Sequence, residues 1–209
     1  MNYKFITVEG NIGAGKTTLA NMLAKHFSGK LILEEFADNP FLPLFYDKPQ
    51  QYAFPLELFF MAERYKQLKE MLQSQDLFRE TIISDYLFTK SLLFAKINLP
   101  EEEYSLYQKL FDIINPQLVQ PELLIFLHAP VPKLQENIRH RNRSYEQQIQ
   151  DEYLQSVQDM YMQYIKQHPV RTLMVDMTKV DFIRQPKDFD NLLLALEKDY
   201  EPGVHYLKL

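Results

Sequence analysis

The chain has 209 residues, room for one domain (1–209) with a sizeable core and a small lid. A net charge of -5 argues against a general nucleic-acid binder, and the lack of cysteine excludes disulfides, thiolate nucleophiles and Cys-based metal sites. No apolar run reaches membrane-spanning length, and the N-terminal run is too short for a secretory leader, so a cytoplasmic protein with no membrane partner is the expectation.

Five short apolar runs, at 4–8, 30–33, 81–84, 123–128 and 172–175, alternate with stretches of helical periodicity. That alternation predicts an α/β fold: a five-stranded parallel sheet with helices on both faces. Ligands of such folds lie at the carboxyl ends of the strands, so the residues just after each run matter most.

After the first run stands Gly10-Asn11-Ile12-Gly13-Ala14-Gly15-Lys16-Thr17-Thr18, the P-loop pattern, followed by helix formers over 16–27. Three of the chain's five glycines fall here, where they let backbone N–H groups close around phosphate oxygens. Lys16 would reach the β- and γ-phosphates, the Thr17 hydroxyl would ligate Mg²⁺, and the helix would point its positive end at the anion. A plain glycine turn between strand and helix would need neither that spacing nor the Lys-Thr pair.

Glu34 and Glu35 follow the second run, either as solvated glutamates or as a general base facing the phosphates. A long helix is expected over 52–74, with Pro55 in its first turn and Leu56, Phe59, Phe60, Leu68, Met71 and Leu72 on its apolar side. Glu57 and Arg64, two turns apart, share one side of it, and spacing alone fits a solvated face better than a cleft. The third run ends at Asp85, placed to hold Mg²⁺ or to cap a helix over 86–96.

A further helix starts after Pro100, with acidic residues in its first turn. The fourth run leads through a helix to Arg139-His140-Arg141-Asn142-Arg143, read as part of an Arg-rich lid over about 137–150 that brings cations to a transferring phosphoryl group. A helix over Asp151–Gln167 follows, its apolar and aromatic positions read as core and dimer packing. The fifth run ends in a polar turn with Asp181 and Phe182, placed to wrap an adenine. A last helix spans 186–198, and the tail 202–209 has no evident role.

From the P-loop to the last helix, about 4–197, the chain resembles the deoxyribonucleoside kinases, especially the bacterial purine enzymes. The resemblance implies ATP and Mg²⁺ as cofactors, a deoxynucleoside as acceptor and a homodimer. Counting back from Asn39-Pro40 places Glu34 on the family's catalytic glutamate, with Glu35 where the family has proline. Phe45-Tyr46 matches the motif whose tyrosine bonds the sugar 3′-hydroxyl, and Arg64 matches an arginine near the base and the catalytic glutamate. Glu57 replaces a base-reading glutamine; as a carboxylate it only accepts hydrogen bonds, which disfavours thymine, and protonated by burial it regains a donor. Arg141-x-Arg143-x-x-Glu146 matches the family lid, whose arginines clasp phosphates and whose glutamate bonds the 3′-hydroxyl. Asp181-Phe182 matches a turn beside the donor adenine, and Asn137 replaces an earlier lid arginine.

The Asp85-Tyr86-Leu87 segment departs from the family's acidic-Arg-Ser motif. It keeps the acid for substrate and metal but lacks the arginine, for which Arg64 or a lid arginine is the candidate substitute. The expected function is 5′-phosphorylation of a purine deoxynucleoside, deoxyadenosine first. The rival readings are a nucleoside monophosphate kinase, which needs extra acceptor-side cations, and a nucleotide-binding module without turnover.

Overall fold

The computed structural model describes residues 3–34, 39–73, 81–168 and 170–209, with no account of the side chains of 71–73. Its centre is a parallel sheet of β1 (Phe5–Gly10), β2 (Lys30–Ile32), β3 (Ile82–Ser84), β4 (Leu123–His128), β5 (Arg171–Asp176) and β6 (Gly203–Leu207), in the order β2-β3-β1-β4-β5-β6. The helices are α1 (Lys16–Phe27), α2 (Leu42–Asp47), α3 (Pro49–Gln73), α4 (Lys90–Asn98), α5 (Glu101–Ile114), α6 (Val131–Arg141), α7 (Asp151–Gln167) and α8 (Pro186–Ala195).

Alternating side chains of the central strands feed two cores. Ile6, Val8, Leu123, Ile125 and Leu127 pack with Leu19 and Leu23 of α1, Leu134 and Ile138 of α6 and Leu192 of α8. On the opposite face Leu124 and Phe126 meet Val157, Tyr161 and Ile165 of α7. A third cluster joins Leu56 and Met61 of α3 to Tyr107 and Phe111 of α5. Strands buried on both faces read as unbroken apolar runs, which is why β1 and β4 are plain in the sequence.

The sheet has six strands, not five: the tail pairs β6 beside β5. β6 is a half-exposed edge strand in which Gly203 and His205 interrupt Val204, Tyr206 and Leu207, so it carries no unbroken apolar run. Arg171 Nη1 donates to the Glu122 carbonyl at 3.1 Å and Arg171 Nε to that of Tyr200, while Tyr200 N donates to Tyr3 Oη at 2.8 Å, tying the tail to the sheet. Pro55 lies inside α3, which begins six residues earlier at Pro49. The helix over 86–96 instead begins at Lys90, because the turn before it is held by other bonds: Leu87 N donates to Glu9 Oε1 at 2.9 Å and Ser84 Oγ to the Tyr86 carbonyl at 3.0 Å. The last helix stops at Ala195. Among the described residues no helix is long and apolar enough to cross a membrane.

Candidate active site

β1 runs into the glycine loop at the carboxyl edge of the sheet. Gly13 sits at φ 81°, and a Cβ there would come within 2.8 Å of the Leu134 carbonyl oxygen. Gly15, at φ 94°, turns the chain into α1 with no side-chain cap, so the first N–H groups of that helix face the loop uncapped. Lys16 folds back over the loop, donating to the carbonyls of Gly10 and Asn11 at 3.0 and 2.9 Å. Asn11 turns its side chain away, donating from Nδ2 to the Leu154 carbonyl of α7 at 2.7 Å.

The loop floors a cleft of about 800 Å³. Ile12, Gly13, Ala14, Gly15, Lys16, Thr17 and Thr18 line it, and so do Glu34, Tyr46, Glu57, Arg64, Asp85, Arg141, Arg143, Glu146, Asp181 and Phe182. Of the sequence-predicted residues only Gly10 and Asn11 stay outside the lining; they support the loop from behind.

Asp85 stands at the centre. Its Oδ2 accepts from Thr17 Oγ1 at 2.5 Å and its Oδ1 from Glu34 N at 2.7 Å, so it does not cap a helix. This oxygen pair suits a hard cation such as Mg²⁺. No group of three His, Cys, Asp or Glu occurs among the described residues, so such an ion would take its other ligands from phosphate and water.

Glu34 is clamped between two cations. Arg64 Nε donates to its Oε1 at 2.9 Å, with Nη2 on the same oxygen, and Lys90 Nζ donates to Oε2 at 2.6 Å. Burial alone would raise the carboxyl pKa, but the charges of Lys90 and Arg64 and their hydrogen bonds hold it well below the usual carboxylate range. Arg64 is fixed in turn by Ser91 Oγ at 2.6 Å and lies over the Phe60 ring. Glu35 lies outside the described residues. Burial and the Lys90 charge lower Lys16 to about 8.

Deeper in the cleft Glu57 is buried, its Oε1 accepting from Asn98 Nδ2 at 2.7 Å and its Oε2 without a partner. Burial pushes its pKa up to about 7, against the hydrogen bond from Asn98 and the charge of Arg64, which favour ionisation. Tyr153 Oη donates to Asn98 Oδ1 at 3.2 Å. At the end of α6 and in the turn after it, Arg141 and Arg143 both reach Glu146, Arg141 Nε at 3.0 Å and Arg143 Nη1 at 3.3 Å, and Tyr145 stacks on Tyr46. Asn137 Nδ2 donates to the Gly13 carbonyl at 2.8 Å, so α6 steadies the glycine loop. Asp181 spends Oδ1 on the N–H groups of Ile183 and Arg184, which shapes the turn carrying Phe182.

Sequence reading missed Glu9, Lys90 and Asn98. Glu9, fully buried, accepts from Gly10 N, Leu87 N and Tyr161 Oη and so bolts the glycine loop to α7 and the β3–α4 turn. The available signal for Glu9 and Asn98 was a charged or amide residue beside apolar ones, Val8-Glu9 and Ile97-Asn98-Leu99; Lys90, between Thr89 and Ser91, carried none.

A doubly covered parallel sheet with a P-loop opening onto a cleft of buried charges defines a phosphotransferase of the P-loop class. The chain belongs to the deoxynucleoside kinase family, whose model matches residues 6–199. It is 35% identical to a deoxyguanosine kinase of Bacillus subtilis over 90% of this chain and 93% of that one. It is 31% identical to a deoxyadenosine/deoxycytidine kinase of the same organism over 71% of this chain and 70% of that one. In fold it is similar to a deoxyadenosine kinase from M. mycoides solved with bound dATP, with a TM-score of 0.80 and 21% identity, over 92% of this chain and 99% of that one. Kinases of this family transfer phosphate to a nucleoside hydroxyl, and membership sets the monophosphate-kinase reading aside.

Proposed function

We propose that the protein transfers the γ-phosphoryl group of ATP to the 5′-hydroxyl of a purine deoxynucleoside. The observation that carries this is Asp85, which touches Thr17 of the P-loop and the backbone of Glu34 at once and so joins the phosphate end of the cleft to a buried carboxylate. Glu34 accepts the hydrogen bond of the 5′-hydroxyl and takes its proton as the oxygen–phosphorus bond forms, when that proton becomes acidic. Lys16 and the loop N–H groups hold the triphosphate. Thr17 and Asp85 would hold Mg²⁺, which supplies charge neutralisation at the phosphates. Arg141 and Arg143 exchange part of their pairing with Glu146 for phosphate as the lid over 137–150 closes, freeing Glu146 and Tyr46 for the 3′-hydroxyl. Asp181 and Phe182 flank the donor adenine.

Base choice rests on Glu57. Held at Oε1 by Asn98, it offers Oε2 to the base. Neutral, it presents a donor beside an acceptor, which fits adenine; ionised, it presents acceptors only, which fits the N1–H and amine of guanine. Deoxyadenosine is therefore preferred below about pH 7, the value to which burial raises Glu57, and deoxyguanosine gains above it. We also propose a homodimer, supported by exposed Leu106 and Ile113 two turns apart on α5. Sedimentation at micromolar concentration showing only monomer would refute that part.

The deciding assay supplies ATP with each of the four deoxynucleosides, adenosine and deoxyadenosine monophosphate. Turnover of purine deoxynucleosides with little on thymidine is expected. A preference for thymidine overturns the reading of Glu57, and nucleotide binding without any product restores the silent-module reading.

A further inference from the structure

The Asp85-Tyr86-Leu87 turn supplies no cation to the cleft. Tyr86 is buried and donates to Gln67 Oε1 at 2.7 Å, and Arg64 is spent on Glu34 Oε1 and Ser91. From the first turn of α4, Lys90 reaches the other oxygen of Glu34 and lines the cleft. We propose that Lys90 is a catalytic residue of the phosphoryl transfer: it positions Glu34 for the acceptor hydroxyl and then carries its charge to the group in flight.

Three observations support this. Lys90 and Arg64 take different oxygens of Glu34, so the lysine does not duplicate the arginine. Its ammonium is buried, a costly placement that packing alone does not require, since an apolar chain would fill the space beside Phe94 at no such cost. Finally, Lys90 lines the same cleft as Glu34 and the phosphate-binding Lys16, and its charge is the strongest single charge acting on Lys16. The phosphoryl group crosses that cleft. A compact ammonium on a flexible stem can follow charge across it, whereas the Arg64 fork is fixed by three contacts.

The 5′-oxygen bonds to the γ-phosphorus, the bond from that phosphorus to the β,γ-bridging oxygen breaks, and ADP leaves with the electron pair. The hydroxyl proton passes to Glu34. Glu34 then no longer needs Lys90, which is free to pair with the phosphoryl oxygens.

This inference rests on the proposed kinase function, and the test separates the two. Single-turnover rates, kcat and both KM values are measured for wild type, Lys90→Gln, Lys90→Met and Lys90→Arg. The neutral variants should lose about 100- to 1,000-fold in kcat and in single-turnover rate, the scale of one electrostatic group. Their KM values and calorimetric deoxynucleoside binding should change little. Lys90→Arg should regain part of the rate, while Lys90→Gln, which can still hydrogen-bond Glu34, should not. A Lys90→Gln enzyme with nearly wild-type kcat overturns the proposal, as does a loss confined to KM. Failure of both neutral variants to fold, with Lys90→Arg folded, would assign the charge to the core and overturn it too. No turnover in wild type would instead defeat the kinase reading, which is distinguishable because the variants then have no active reference.

Discussion

At the proposed phosphate end of the cleft, residues 12–18 are consecutive and the groups offered are mostly backbone N–H, completed by Lys16 and Thr17. At the proposed acceptor end, Glu34 comes from the loop after β2, Glu57 and Arg64 from α3, and Lys90 and Asn98 from opposite ends of α4. The first end is built by local chain geometry, the second by ions that tertiary packing forces together. Chemistry at the first should therefore be lost with stability unchanged, whereas at the second a loss of chemistry should come with a lower unfolding free energy in a chain that still folds. The largest effect expected is at the first: Lys16→Ala should lower kcat on the order of 10²–10⁴ while leaving the melting temperature nearly unchanged. A Lys16→Ala enzyme with full activity would contradict the assignment of the loop.

Arg64→Ala tests the second end. It removes one member of a buried ion cluster and leaves Glu34 with Lys90 alone. Breaking such a pair from one side costs about 3–5 kcal/mol, so denaturant unfolding should move by that much along with a loss of activity. A variant that loses activity but keeps its unfolding midpoint would mean that the acceptor end is no more integral to the core than the P-loop.

The same contrast explains what was legible in the sequence. A P-loop is specified by spacing over eight residues, so Gly10 to Thr17 could be read directly. Glu57 and Arg64 sat at a spacing that suited a solvated face, and only α4 and α5 packing over them makes a buried pair. Lys90 and Asn98 carried no periodic signal, because a single polar side chain shows its purpose only when its partner arrives from elsewhere in the chain. β6 was hidden for a related reason: an edge strand needs no continuous apolar run. Glu34 and Arg64 were proposed through family resemblance rather than through pattern, and their third member, Lys90, was not.

Glu57 allows a smaller test by pH. Its carboxyl is raised from 4.5 to about 7 in the folded protein, so between those values the unfolded chain binds fewer protons than the folded one. This group's contribution is therefore fully present below about pH 4.5 and is lost as pH rises toward 7. Glu57→Gln has no such loss. Relative to wild type it should gain about 1–3 kcal/mol between pH 5 and pH 8, read from denaturant midpoints at each pH. A flat difference would place Glu57 in contact with water and weaken its role in base choice.

The smallest effect expected falls on Asn98. Its amide N–H favours the ionised form of Glu57, so Asn98→Ala should push that pKa above about 7. One net hydrogen bond is worth about 0.5–1.5 kcal/mol, or roughly 0.4–1 pH unit. The readout is the ratio of kcat/KM for deoxyadenosine to that for deoxyguanosine across pH. Ionisations common to both reactions, including those of Lys16, Glu34 and ATP, cancel in that ratio, while the proton on Glu57 does not. In wild type the ratio should fall with rising pH around a midpoint near 7. In Asn98→Ala the midpoint should move up by about half a unit to one unit. Movement downward would show that Asn98 does not hold the carboxylate, and a ratio independent of pH in both proteins would show that the base is read by other groups. Because Tyr153 donates to the same amide, Tyr153→Phe should move the midpoint in the same direction but less far, as it loosens Asn98 without removing the N–H that Glu57 accepts.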